Sequence, residues 1–263
     1  MKIGVLTSSR ADYGIYLPLL NKLKKDDFFN LEIIAFGTHL SKKHGFTFID
    51  IEQDGYDVIH KLTSLVEDDS EQGIAISYAN TVVSFSNFWA INKFDLVFCL
   101  GDRFEMSAAV QASIPFGVKL AHFHGGETTL GAIDNIYRHQ ITLASQIHFV
   151  AAKNFLCKIR EVIGTSKGIY NVGALSLDGI EQVKLPNWSD VCKLFNIPNK
   201  EFILITFHSE TINPSVNKIY VETIYDALNV LCKKYHLIIT LSNADTMGSL
   251  YREFSRNSYL TLD

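Results

Sequence analysis

The alternation of short apolar runs with longer helix-patterned stretches is the feature that most limits how this chain can fold. The runs with the character of buried strands lie at 2–7, 31–36, 95–100, 118–123, 146–150, 168–172, 202–207 and 236–241. The helical stretches lie at 14–25, 70–91, 103–113, 134–145, 152–162, 215–234 and 245–256. Several strands are apolar on both faces, as in a parallel sheet that helices cover on both sides. The pattern predicts a doubly wound α/β protein.

A segment at 185–200 divides this series, because it carries two of the five prolines and separates the last two strands from the others. We therefore expect a Rossmann-like domain over residues 1–172 and the start of a second, nucleotide-binding Rossmann-like domain over 173–263. The second has two clear strands and two helices, about half of a doubly wound domain, and the final "YLTLD" itself resembles a strand. Either the sequence is a fragment, or the protein is naturally short and something else covers the open sheet edge.

Polar, irregular stretches follow the predicted strands at their carboxyl ends, which is where open α/β sheets bind ligands. Each combines glycine or hydroxyl groups with a charged residue. They read "SSRADYG", "GTHLSKKHG", "GDRFE", "HGGETTLGAID" and "HSET" in chain order. Their recurrence predicts an active site at this edge of the sheet.

Composition and missing motifs exclude several classes of protein. The formal net charge of -4, without a basic stripe, argues against nucleic acid as a partner. The four cysteines lie far apart, so a reducing compartment is expected, and Cys99 is interpreted as a small buried apolar residue. No signal peptide or membrane-length apolar run is present, which indicates a cytoplasmic protein without a membrane partner. The dinucleotide and Walker A glycine patterns are absent, so no nucleotide cofactor is expected.

The pair His122 and His124 could contribute to a metal site, with a third ligand from Glu127, Asp134 or His139. An H-x-H pair is a weak signal, and its amidohydrolase form belongs to an early strand of a (β/α)8 barrel. We therefore expect hydrogen-bonded histidines and no metal.

Carboxylates after the predicted strands are the stronger signal. Asp102 follows a strand, Glu127 lies in a glycine-rich loop, and Asp134 lies near a helix start, four residues before Arg138 and able to pair with it. Carboxylates gathered in one crevice raise one another's pKa, which would supply an acid and a base near neutral pH. For Asp102 and Asp134 a helix-capping role is an equal alternative. Glu127 has no such alternative.

Two arginines open helices just beyond strand ends, where a guanidinium and free helix N–H groups can bind one anion. They are Arg10 and Arg103, and pairing with the nearby Asp12 or Asp102 explains them equally well. His208 also follows a strand and would suit a phosphate or a leaving-group oxygen.

The chain resembles the hydrolysing UDP-N-acetylglucosamine 2-epimerases over its whole length. The segments that carry the resemblance are, in order, "SRADYG", "GDRFE", "HGGETTLGAIDNIYRHQIT", "HFVAAKNF", "NVGALSLD", "TFHSET" and "SNADTMG". The family implies a GT-B-like fold of two Rossmann-like domains with parallel sheets, the second incomplete in this chain, and a UDP-sugar bound between the domains. It also implies removal of the C2 proton as UDP leaves C1, hydration of the resulting 2-acetamidoglucal, and release of the 2-epimeric sugar for sialic-acid-type biosynthesis. We further expect a homo-oligomer, a dimer or tetramer.

By this resemblance, Asp102, Glu127 and Asp134 are acid/base candidates. The candidates for binding the diphosphate or the leaving group are Arg10, Arg103, Arg138 and His208, with Asn243 and Asp245 as further contacts from the second domain. The substrate is UDP-GlcNAc, giving ManNAc, or UDP-2,4-diacetamido-2,4,6-trideoxyglucose of the legionaminic-type pathway. Alternatives are a non-hydrolysing epimerase, a GT-B glycosyltransferase, and an inactive, truncated sugar-nucleotide-binding module. Family members continue beyond the last residue, into segments that bind uridine and ribose.

Overall fold

The computed structural model describes residues 1–240 and 260–262. The strands are β1 (Lys2–Thr7), β2 (Asn30–Phe36), β3 (His60–Leu62), β4 (Leu96–Leu100), β5 (Leu120–Phe123), β6 (Ile147–Val150), β7 (Ile169–Asn171), β8 (Phe202–Ile205), β9 (His236–Thr240) and β10 (Leu260–Leu262). The α-helices are α1 (Arg10–Leu23), α2 (Phe48–Gln53), α3 (Glu71–Ile91), α4 (Phe104–Ser113), α5 (Asp134–Ala144), α6 (Lys153–Ile163), α7 (Trp188–Leu194) and α8 (Asn217–Leu231).

The first sheet has seven parallel strands in the order β3-β2-β1-β4-β5-β6-β7. Successive strands are added toward one edge of the sheet from β1 to β3 and toward the other edge from β4 to β7. The boundary between β1 and β4 is therefore the topological switch point at which doubly wound sheets bind ligands. The neighbouring register places His122 opposite both Cys99 and His148. The prediction of a doubly wound parallel α/β sheet is confirmed.

Helices cover both faces of this sheet, which explains the strands without polar alternation. Val5 packs on one face in a core that includes Tyr16 and Leu20 of α1, while Leu6 packs on the other face. The second core includes residues from α3, α4 and α5, among them the fully buried Trp89 and Met106. Adjacent residues of a strand point to opposite faces, so both must be apolar when helices lie on each side.

The chain divides into two compact units, with the boundary between Ile180 and Glu181 rather than between residues 172 and 173, and residues Asp69–Glu71 group with the second unit. In its described part, the second unit contains a parallel sheet in the order β10-β9-β8. Its small core is formed around Leu228, Leu237 and Ile239. The strand expected at the final residues is present as β10.

Three elements were missed by the sequence analysis. β3 is a short, polar strand at the sheet edge, and α2 is a helix of six residues, so neither carries enough periodic apolar residues to be detected. The third, α7, lies inside the segment interpreted as a junction, and Asn187 caps its first turn by accepting a hydrogen bond from the Asp190 backbone N–H. The helix predicted at 245–256 lies outside the described residues.

Candidate active site at the carboxyl edge of the first sheet

The fold brings several of the predicted site residues to one edge of the first sheet. β1, β4 and β5 are consecutive neighbours, so the loops that follow them emerge side by side. Arg10 is the first residue of α1, Asp102 and Arg103 lie between β4 and α4, and Glu127 lies between β5 and α5. Asp134 is the first residue of α5. The predicted convergence of these loops is therefore observed.

Arg138 of α5 is the buried centre of the site, with only 4% of its surface exposed. Its Nη2 donates to a carboxylate oxygen of Asp102, and its Nη1 donates to the backbone oxygen of His124 at 2.7 Å. The same Nη1 lies 3.6 Å from Glu127 Oε2. One guanidinium thus links two of the three candidate carboxylates, as the planar fork of arginine allows.

Glu127 has a second partner in His124, whose Nδ1 lies 2.8 Å from Glu127 Oε1. Burial alone raises the pKa of Glu127, but the hydrogen bond from His124 and the charges of His124 and Arg138 outweigh it, so the pKa is lowered. The expectation that clustered carboxylates raise each other's pKa is therefore wrong for Glu127. The reason is that cationic and donor groups, rather than another carboxylate, are its nearest neighbours.

The two glycines before Glu127 have a packing role. Gly126 has a φ of 78°, and a Cβ atom there would lie 2.5 Å from the backbone oxygen of Phe155. A Cβ on Gly125 would lie 2.9 Å from Ile159 Cδ1. The glycines let this loop lie against α6, which holds Glu127 beside Arg138.

His122 is fully buried close to the site, where its ring hydrogen-bonds to neighbouring residues. Its Nε2 lies 2.8 Å from the backbone oxygen of Gly101, and its Nδ1 lies 3.2 Å from Thr142 Oγ1. Burial lowers the pKa of His122 to about 3, although the bond to Gly101 opposes this. The expectation of a hydrogen-bonded histidine is confirmed. In the described ranges, no group of three or more His, Cys, Asp or Glu side chains is arranged to hold a metal ion.

Arg103 is the N-cap residue of α4, and its guanidinium pairs with Glu105. Its Nε and Nη2 lie 3.2 and 3.0 Å from the two carboxylate oxygens of Glu105, whose surface is fully buried. Glu105 was not among the predicted site residues, although "GDRFE" contains both members of the pair. Asp102 precedes the N-cap and binds Arg138, so its side chain has a role other than capping α4.

The loop after β1 is held by Asp12, which was predicted only as a possible partner for Arg10. Its carboxylate accepts hydrogen bonds at 2.7 Å from the backbone N–H groups of both Ser8 and Ser9. Ser9 and Asp12 form a capping box at the start of α1, which the S-x-x-D spacing could have revealed. Arg10 remains exposed beside this ordered loop.

The remaining predicted residues belong to the second unit. His208 is exposed and follows β8 by three residues, so the predicted position after a strand is observed. Asn243 and Asp245 lie outside the described residues. No helix of the described residues has the length and apolar character needed to cross a membrane.

The fold and the site together define a doubly wound α/β protein with paired carboxylates and arginines at its switch point. The chain belongs to the UDP-N-acetylglucosamine 2-epimerase family, whose model matches residues 21–261. It is 32% identical over 257 residues to the hydrolysing GDP/UDP-N,N'-diacetylbacillosamine 2-epimerase of Campylobacter jejuni, covering 97% of this chain and 66% of the relative. It is 29% identical over 245 residues to a polysialic acid biosynthesis protein of Escherichia coli, covering 93% of this chain and 63% of that protein.

A solved structure of the Methanocaldococcus jannaschii UDP-GlcNAc 2-epimerase, in complex with UDP-GlcNAc and UDP, shares the fold. Its TM-score is 0.78 at 16% identity, and the match covers 100% of this chain and 73% of that chain. The GT-B-like α/β fold expected from the resemblance is confirmed. The chain spans slightly less than two thirds of the length of the curated relatives described above.

Proposed function

We propose that this protein is a hydrolysing UDP-sugar 2-epimerase whose acid/base groups are Asp102, Glu127 and Asp134. The observation that carries the proposal is the bridge in which Arg138 engages Asp102 and also lies 3.6 Å from Glu127, at the switch point of the sheet. The hydrogen bond from His124 and the charge of Arg138 lower the pKa of Glu127, and an ionised carboxylate is the form that can remove a proton. Membership of the family and the relatives' names support the same reaction class.

The reaction proceeds in two stages. A carboxylate removes the C2 proton of the sugar while the C1–O bond to UDP breaks, which leaves a 2-acetamidoglucal and UDP. Water then adds its oxygen to C1 and gives up one proton to a carboxylate, while a carboxyl group gives a proton to C2 on the opposite face, which releases the free 2-epimeric sugar. The departing diphosphate needs cationic groups, and we assign this role to Arg10, Arg103 and His208, with Asn243 and Asp245 as contacts from the second unit.

We change the assignment of Arg138 from diphosphate binding to an internal counter-ion. Its guanidinium already donates hydrogen bonds to Asp102 and to the backbone oxygen of His124, it lies 3.6 Å from Glu127 Oε2, and only 4% of its surface is exposed. A cation buried in this way lowers the pKa of Glu127 and presents little surface to a ligand phosphate.

Two substrates remain in the proposal. UDP-GlcNAc, which would give ManNAc, agrees with the name of the Escherichia coli relative, a polysialic acid biosynthesis protein. UDP-N,N'-diacetylbacillosamine, which is UDP-2,4-diacetamido-2,4,6-trideoxyglucose, is favoured by the higher identity to the Campylobacter jejuni relative. Both contain the 2-acetamido group and the C1 diphosphate on which the mechanism depends.

The test is incubation of the protein with each UDP-sugar in D2O, followed by 31P and 1H NMR. Release of UDP together with a free 2-epimeric sugar deuterated at C2 is expected, and Glu127→Gln should abolish it. Glu161→Gln, which changes an exposed glutamate of α6, is the matched control and should retain the rate. Return of a 2-epimerised UDP-sugar would indicate a non-hydrolysing epimerase. Unchanged deuterium incorporation in Glu127→Gln would overturn the assignment of the site.

A further inference from the structure

His124 has a backbone conformation that non-glycine residues rarely adopt. Its φ is 62°, and among the described non-glycine residues only Phe46 and Asn196 share a positive φ. Its backbone N–H donates to the backbone oxygen of Phe149 at 3.1 Å, and its backbone oxygen accepts from Arg138 Nη1 at 2.7 Å. The left-handed turn directly after β5 is therefore fixed by a bond to the neighbouring strand β6 and by a bond to the buried arginine.

The ring of His124 makes one hydrogen bond, and that bond is to Glu127. Nδ1 lies 2.8 Å from Glu127 Oε1, and an ionised carboxylate can only accept, so Nδ1 carries the hydrogen. Nε2 is buried and has no hydrogen-bond partner within the described residues. A histidine in an unfavourable backbone conformation, with one nitrogen left buried and unpaired, carries two free-energy penalties. The hydrogen bond between Nδ1 and Glu127 is the side-chain contact that offsets these penalties.

We propose that His124 is a positioning residue, which aims the carboxylate of Glu127 and holds it in the ionised form from which it acts as a base. The catalytic consequence rests on the proposed epimerase function, whereas the effect on Glu127 does not. His124, directly after β5, thus acts on the carboxylate of Glu127 in two ways. Its ring donates to that carboxylate, and its backbone oxygen binds Arg138, which lies beside the carboxylate.

The charged groups around Glu127 determine how it should respond when the ring is removed. Arg138 of α5 lies 3.6 Å away and is shared with Asp102 of the β4–α4 loop. Lys158 of α6 donates to Thr128 Oγ1 at 2.9 Å, beside Glu127 in the chain. With His124 removed, burial continues to raise the pKa of Glu127, while the hydrogen bond and charge that oppose burial are reduced to the share of Arg138. The pKa of Glu127 should therefore rise.

Three substitutions separate the ring from the backbone. His124→Gly accepts a positive φ without strain but has no donor. His124→Asn also tolerates the left-handed region, and its side-chain amide nitrogen can take the place of Nδ1. His124→Ala loses the donor and strains the turn, so it reports the two effects combined. His139→Asn, at an exposed position of α5, is the matched control.

The deciding measurement is the titration of Glu127 by 13C NMR in protein labelled at the glutamate carboxyl carbon, with the resonance assigned by its loss in Glu127→Gln. An upward shift of the midpoint in His124→Gly, with most of the shift reversed in His124→Asn, is expected. The midpoint in His139→Asn should equal that of the parent. An unchanged midpoint in His124→Gly would overturn the proposal, because the fold of that variant retains the turn. This measurement requires no turnover.

The second measurement is the pH profile of turnover on UDP-sugar. The kcat of His124→Gly should fall roughly 10- to 100-fold, as expected when a hydrogen bond to a charged group is lost, with little change in KM. The acidic limb of the profile should move to higher pH, and His124→Asn should restore both. A change confined to KM would contradict a role in positioning the base. If the parent protein shows no turnover, the proposed function fails while the carboxyl titration still decides the role of His124.

Discussion

At the scale of single residues, the site consists of carboxylates whose behaviour is set by their immediate partners. Asp102, Glu127 and Arg138 were all expected at the site from their positions in the sequence. Their pairing was not, because the spacing of Asp134 and Arg138 along a helix suggested a local pair. The structure shows Arg138 engaged by Asp102 and Glu127, while the pairing with Asp134 stays a prediction.

Replacing Arg138 should therefore destabilise the protein as well as impair catalysis. Arg138→Met leaves Asp102 and Glu127 without their shared cation, and removal of one partner from a buried ion pair costs roughly 3–5 kcal/mol. Because the side chain of Asp102 is 24% exposed, the loss should lie toward the lower end of this range. The measurement is the free energy of unfolding by denaturant.

Arg160→Met, which removes an exposed arginine of α6, is the control and should change stability little. Adding Asp102→Asn to Arg138→Met should recover part of the loss, since it removes a carboxylate that has lost its counter-ion. Equal stability of Arg138→Met and the parent would show that the bridge contributes nothing to folding.

At the scale of elements, adjacent strands β5 and β6 place His122 and His148 opposite each other inside the sheet. Both residues are fully buried. Burial lowers the pKa of His122 to about 3 and that of His148 to about 4. Both rings are therefore neutral in the folded protein at pH values where an unfolded chain would protonate them.

This row of histidines predicts a loss of stability in mild acid. The unfolded state binds protons below the ordinary histidine pKa of about 6.5, while the folded rings stay neutral down to their lowered pKa values. The stability that the two neutral rings contribute is fully present above about pH 6.5. It falls by about 1.4 kcal/mol per pH unit for each histidine as the pH drops toward 4. Free energies of unfolding measured between pH 7.5 and pH 4.5 test this.

The variant His148→Leu should flatten the dependence on pH, because an apolar side chain there cannot be protonated in the unfolded state. His139→Leu, at an exposed site on α5, should leave the slope as in the parent. A slope in His148→Leu as steep as that of the parent would assign the acid sensitivity to other groups.

At the scale of the whole molecule, the two units differ in how much apolar core they contain. The first unit has extensive cores on both faces of its seven-stranded sheet. In the described part of the second unit, the core is formed around Leu228, Leu237 and Ile239. Leu204 of β8 is 59% exposed, and β8 is an edge strand of the described sheet.

Hydrogen exchange should therefore distinguish the units. Amides of β1, β4 and β5 should be protected up to the free energy of global unfolding, whereas those of β8 and α8 should exchange through opening of the second unit at lower free energy. Mass spectrometry of peptides from both units gives the comparison. Identical opening free energies in both would indicate one cooperative unit and contradict the prediction.

The sequence by itself determined the order of the longer strands and helices, the doubly wound class and the family. These follow from apolar periodicity and from local motifs such as "GDRFE" and "HGGETT", which a linear reading contains. Short elements such as β3 and α7 escaped because they lack enough periodic positions.

Only the tertiary structure decided which charges meet. Asp102 and Arg138 are 36 residues apart, and the alignment of β4 beside β5 brings their loops together. The lowered pKa of Glu127 has the same origin, because it depends on distances of a few ångströms to His124 and Arg138. Electrostatic energy depends on separation and burial in space, and a sequence specifies neither until the chain has folded.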